Sequence, residues 1–121
     1  MENFVACIDE MVKALMAREQ ALVQSDRKDE ANMIKIQINI CGVCKTIYEV
    51  VCRTCAAEDV KETYLQKLDS LSDTWTASLE KARAHDDIEK IVAEELKLEA
   101  LSNARNKFLE LSNSVVNAEG R

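Results

Sequence analysis

Proline is missing from this 121-residue chain, and glycine occurs only at Gly42 and Gly120. These residues punctuate turns and hairpins, so their scarcity leaves a β-sheet few places to reverse. Aromatic residues make up 4% of the chain, too few for a platform on which nucleic-acid bases stack. Positive charge is in the minority: the net charge of −6 speaks against a phosphate-backbone partner and in favour of simple solubility. The longest uncharged run, IQINICGVC, is nine residues, too short to span a bilayer. The opening MENFVACIDEMVKALMAREQ has acidic residues ahead of its first lysine and no uninterrupted apolar core, unlike an export signal. The expected compartment is therefore the reducing cytoplasm, where five cysteines are thiols, metal ligands or core residues before they are disulfides.

Missing partners exclude several chemistries. A di-iron bundle needs Glu-x-x-His on two helices, but His85 is the only histidine and Ala82 stands three residues before it. His85 is expected to cap or follow a helix end rather than to catalyse. Ser70, Ser72 and Ser78 have no histidine partner in a pattern that suggests a triad, and no glycine-rich loop exists to cradle a phosphate.

What is abundant is helix-forming Ala, Leu, Glu and Lys, with apolar positions at helical spacing. Phe4, Ile8, Met11, Leu15 and Leu22 mark a first helix from Asn3 to about Gln24. SDRKDE then breaks the pattern, with Ser25 or Asp26 expected to cap a second helix over 27–57. AAED follows, where Asp59 and Glu62 fit the spacing of a capping box. The third helix carries Val60, Tyr64, Leu68, Leu71, Trp75, Leu79 and Ala82, and the fourth runs from about Asp87 to Asn117 through Leu101, Ala104, Phe108, Leu111 and Val115. Four rods of comparable length with short connections predict one domain, an all-α, up-down-up-down antiparallel four-helix bundle. A turn at 70–73 instead would give a dimeric three-helix arrangement with two long helices. No internal repeat is evident.

The second helix contains CGVCKTIYEVVCRTC, two CxxC pairs from Cys41 to Cys55. At about 100° per residue, Cys41, Cys44, Cys52 and Cys55 fall within an arc of about 80°. Corresponding cysteines of the two pairs lie about 16 Å apart along a straight helix. Zinc holds sulfur at about 2.3 Å, so one ion cannot take all four within one chain. The pairs also lack the helix N-terminus that gives redox CxxC motifs their acidic thiols. They are, however, symmetric about Tyr48. An antiparallel dimer with its axis there would bring Cys41 and Cys44 to the partner's second pair and form two zinc or thiol clusters between subunits. Its contact would be built from Ile40, Cys44, Ile47, Tyr48 and Val51. Close helix packing explains the same small thiols without any metal, and Cys7 is read as core.

Glu95 and Glu99 fall near the apolar stripe of the fourth helix, where a buried carboxylate would be a candidate acid or base. Drift of the stripe would instead leave both at its solvent edge. Trp75 and Tyr64 read as core, and Met11, Met16 and Met33 as gap fillers or an adaptable groove. The function expected from these residues is protein–protein contact without catalysis, by self-association through the helix at 27–57 or with a helical partner, and with no cofactor, nucleic acid or membrane. A cysteine-based zinc or thiol module across a dimer is the alternative, and an enzyme using Glu95 a third.

Overall fold

The computed structural model describes the backbone of residues 2–119 and the side chains of residues 3–113. Four helices follow in order: α1 (Glu2–Gln24), α2 (Lys28–Thr54), α3 (Val60–Ala84) and α4 (Ile88–Glu119), with one 3₁₀ turn, Ala57–Asp59, between α2 and α3. No strand occurs among the described residues. Each short connection reverses the chain, giving the expected four-helix bundle. α3 runs unbroken through 70–73, which removes the three-helix alternative. Val115, expected to extend the α4 stripe, lies outside the described side chains.

Several helix ends differ from expectation. α2 stops at Thr54, and Cys55 (φ −117°, ψ 152°) is already extended. The β-branched Val50, Val51 and Thr54 are weak helix formers, and the Thr54 hydroxyl turns back to donate to the Val50 carbonyl at 2.8 Å. The capping box at Asp59 does not form, because Asp59 has helical backbone angles and closes the 3₁₀ turn instead. Ser25 and Asp26 do not cap α2. They end α1, and α2 begins after Arg27 with no side-chain cap.

Those α1 residues show how a chain without proline turns. Asp26 is left-handed (φ 59°); its amide donates to the Val23 carbonyl at 3.0 Å, and the Arg27 amide to the Leu22 carbonyl at 2.8 Å. This pair of bonds is a Schellman ending, usually built on glycine; a short polar aspartate tolerates the same backbone. Sixty residues on, Asp86 is left-handed too (φ 53°), its amide bonds Arg83 at 3.2 Å, and the Asp87 amide bonds Ala82 at 3.0 Å.

The correspondence extends through both hairpins. Asp9 of α1 receives Lys45 of α2 at 2.8 Å, and Asp69 of α3 receives Arg105 of α4 at 3.0 Å. Buried Phe4, Ile8, Ile40, Cys41, Cys44 and Tyr48 have buried counterparts in Tyr64, Leu68, Ala100, Leu101, Ala104 and Phe108, each sixty positions later. The chain is therefore a tandem of two like helical hairpins, a repeat that the sequence reading does not detect because so few paired residues are identical.

The hairpins meet mainly through α2 and α4, which pack on each other more extensively than α2 on α3 or α1 on α4. α2 and α4 run in the same direction at the centre, with α1 and α3 flanking them. At one end of the core lie four of the five aromatic side chains, one from each helix: Phe4, Tyr48, Tyr64 and Phe108. Each ring meets the other three edge to face, at centroid distances from 4.8 to 5.9 Å. The Tyr64 hydroxyl, deep in this layer, donates to the Cys44 carbonyl at 2.9 Å.

One position breaks the match in polarity. Where the first hairpin buries Ile34, the second buries Glu94, 4% exposed, whose Oε1 accepts from Lys97 at 3.0 Å while Oε2 has no hydrogen-bond partner. A buried polar atom without a partner lowers stability by about 1–3 kcal/mol. Glu94→Ile, which copies Ile34, should therefore raise the urea midpoint by an amount equivalent to about 1–3 kcal/mol with an unchanged denaturant slope. A lowered midpoint would show that the carboxyl group supports the fold.

Candidate functional site

α2 is the helix from which function was expected, and its two faces differ sharply. The inward face carries Ile40, Cys41, Cys44, Tyr48 and Val51, each at most 3% exposed within a single chain. Ile40, Cys44, Tyr48 and Val51, expected at a subunit contact, are thus held inside the bundle, and only Ile47 reaches the edge of the core. Tyr48, expected on a two-fold axis, is part of the four-ring layer, so a second chain reaches it only if the helices open.

The cysteines divide in the same way. Cys41 and Cys44 are buried, Cys7 and Cys55 half-buried, and Cys52 exposed; all five are free thiols. Cys41 is enclosed because both α1 and α4 cover that side of α2. Burial pushes the Cys44 thiol from the usual 9.0 up to about 12, with the neighbouring Cys41 adding to the effect, and burial raises Cys41 as well. A metal ligand or nucleophile must be a thiolate, so these two are poorly suited to either role. Cys55 lies past the helix end, which breaks the symmetric spacing about Tyr48. Among the described residues, no three His, Cys, Asp or Glu side chains converge as a metal site. Burial also raises Tyr48 and Tyr64 above the usual phenol value, helped at Tyr48 by a hydrogen bond with Cys52 and at Tyr64 by nearby Cys44.

The outward face of α2 carries Ile38, Asn39, Gly42, Val43, Thr46 and Ile47 around a shallow depression of about 540 Å³. Apart from its two chain neighbours and the helix's own backbone, nothing comes within 4 Å of the place where a Cβ on Gly42 would stand. Val50 continues the strip and is 40% exposed. Charge is sparse along it: between Lys35 and Glu49 the only charged residue is Lys45, which turns toward Asp9. Hydrophobic periodicity finds the inward stripe of a helix. This second, weaker face shows itself in sequence only as missing charge.

The other candidates fall apart as sites. Glu95 and Glu99 are exposed, at the solvent edge of the α4 stripe, and the buried carboxyl group belongs to Glu94, one residue earlier. The sequence signal for it was available, since Glu94 stands three residues from Ile91 and four from Leu98 along the stripe. His85 is exposed at the end of α3, where its amide donates to the Lys81 carbonyl at 3.2 Å. Trp75 packs on the core as expected, with the Lys97 ammonium 5.5 Å from its ring centroid. Met16 and Met33 are exposed, on α1 and α2. No described helix is long and apolar enough to cross a membrane. No family model, curated protein or solved structure matches this chain.

Two measurements test this arrangement. Under native conditions an alkylating reagent should modify Cys52 first, Cys7 and Cys55 more slowly, and Cys41 and Cys44 only as fast as the bundle opens; peptide mapping reads the order. Labelling of Cys44 as fast as Cys52 would mean that the core is not closed. The second concerns alkali. Between pH 9 and 12 the unfolded chain releases the Cys44 proton that the folded chain keeps, so the stability present below pH 9 is lost as pH rises. Cys41, Tyr48 and Tyr64 act in the same direction. Cys44→Ala, which copies Ala104, should make the fall in urea midpoint across this window shallower, and an unchanged fall would refute the burial of an ionisable group there.

Proposed function

We infer that this protein acts by protein–protein contact, through self-association on the outward face of α2. The observation that carries this reading is the strip around Gly42, where apolar and neutral polar side chains border a position with no side chain at all. A glycine on a helix surface lets a second backbone approach closely, and the uncharged Asn39, Val43 and Thr46 beside it put no ionised group in the way. The chain carries a net charge of −6, so two copies repel unless they meet through an uncharged face. This strip offers one.

Register supports an antiparallel pairing. Lys35 and Glu49 stand seven residues to either side of Gly42. At about 100° per residue all three fall within about 40° of one another on the helix. With a two-fold axis at Gly42, Lys35 of each chain meets Glu49 of the other, twice, while Ile38 meets Thr46. An isologous contact needs this self-complementarity, and flanking charge pairs fix its register. Lys35 is free to contribute, since its side chain is 63% exposed and stands 3.9 Å from Glu19 in a loose pair.

Sedimentation velocity at micromolar concentration tests the reading. The natural chain should sediment as a dimer. Gly42→Leu, whose side chain enters open space in the monomer, should leave the fold intact by circular dichroism and yield monomer. Lys35→Glu and Glu49→Lys should each weaken the dimer by roughly threefold to thirtyfold, and the two together should restore it, as expected for a pair of flanking charges. A natural chain that stays monomeric, or a Gly42→Leu variant that stays dimeric, would overturn it.

A further inference from the structure

On the opposite side of α2 from its inner contacts with α3, a cleft of about 230 Å³ opens between α1 and α4, lined by Met11, Ala14, Leu15, Gln37, Cys41, Ala100 and Asn103. Cys41 and Ala100, both buried, form its floor, while Ala14 and Asn103 are exposed at its rim. The repeat gives a way to ask what such a cleft holds, because each of its residues has a counterpart sixty positions along. Leu15 corresponds to Trp75, Cys41 to Leu101 and Ala100 to Ile40. At all three the cleft has the smaller side chain, a shortfall of about eleven non-hydrogen atoms, and deletions of this kind leave space that surrounding structure only partly reclaims.

In the second hairpin, the aromatic residue at this position is Trp75, packed on the core with Lys97 against its ring. Lys97 is the counterpart of Gln37. The first hairpin therefore lacks an indole where the second has one, and it replaces the cation beside that ring with a neutral amide.

We propose that the cleft between α1 and α4 binds a small, neutral, planar aromatic molecule of about the size of indole. An engineered apolar cavity of roughly 150 Å³ takes up benzene, and the larger space here accommodates a second fused ring. Leu15 and Met11 supply an apolar wall, buried Cys41 and Ala100 close the floor beneath the ring, and the Gln37 and Asn103 amides offer a donor and an acceptor at the rim for a single N–H or O–H group. A cationic or anionic ring gains nothing from these walls. The cleft does not include Gly42, so its occupancy is separable from self-association.

The test is an NMR titration of the isotope-labelled full chain with indole. Saturable shifts centred on Leu15, Gln37, Cys41, Ala100 and Asn103 are expected, with a dissociation constant on the order of 1 mM or tighter for so small a ligand. Leu15→Trp and Ala100→Ile each place in the cleft a side chain already present at the matching position, and each should weaken binding about tenfold or more with the fold retained. Non-saturating shifts, shifts scattered over the surface, or binding unchanged in a folded Leu15→Trp variant would overturn the proposal. If both variants fail to fold, the location and saturation of the shifts in the natural chain decide it alone.

Discussion

Mutual contact among four rings is the constraint on which the rest of this structure depends. Phe4, Tyr48, Tyr64 and Phe108 come one from each helix, and every ring touches the other three. Edge-to-face packing ties orientation to distance, so the layer fixes the rotation of each helix as well as its height. Once Tyr48 points inward, the spacing of α2 carries Cys44 and Cys41 inward on the preceding two turns and sends Gly42 and Val43 away from Cys41. The placement of the cysteines is thus a by-product of where the rings sit. The same holds for Tyr64, whose hydroxyl is buried by the layer and finds its acceptor in a backbone carbonyl of α2.

The fold was largely legible in the sequence because helical periodicity and missing turn-formers point the same way. The stripes of α1, α3 and α4 came through nearly intact, with Phe4, Ile8, Tyr64, Leu68 and Phe108 all buried as expected. The site was less legible, for a geometric reason. α2 is apolar over most of its circumference between Lys35 and Lys45, so periodicity alone could not say which side meets the bundle and which meets solvent. Ile40, Cys44, Tyr48 and Val51 read from the sequence as a subunit contact, and in the structure they are buried within the single chain. Turn chemistry is hard to read where aspartate takes the place of glycine: Asp26 reads as a cap of the second helix, yet it and Asp86 are both left-handed helix endings. The repeat escaped because it resides in burial, ring positions and ion-pair register, with Phe set against Tyr and Lys against Arg.

Symmetry makes departures from it informative. Where both hairpins place an apolar residue, packing explains the choice. Where they differ, at Ile34 against Glu94 or Leu15 against Trp75, packing alone would have accepted either residue, and one hairpin is left with a polar atom in its interior or an open space beside its helices. The first hairpin holds the exposed neutral strip and most of the wall of the cleft it shares with α4, while the second holds the buried carboxyl group and the tryptophan. Two copies of one supersecondary unit have taken on different surfaces around a shared core.

The like direction of α2 and α4 has an electrostatic consequence. Aligned peptide dipoles leave about half a positive charge at each helix N-terminus, and the two central helices bring those ends together at the same end of the bundle. That end also carries acidic first-turn residues, Asp29 and Glu30 on α2 and Glu89 on α4, while Lys81 and Arg83 finish the neighbouring α3. The repulsion inherent in a parallel central pair is answered on the spot by carboxylates, and by the oppositely directed dipoles of α1 and α3 alongside. Carboxylates in those first turns therefore stand where two helices that point the same way leave their positive ends side by side.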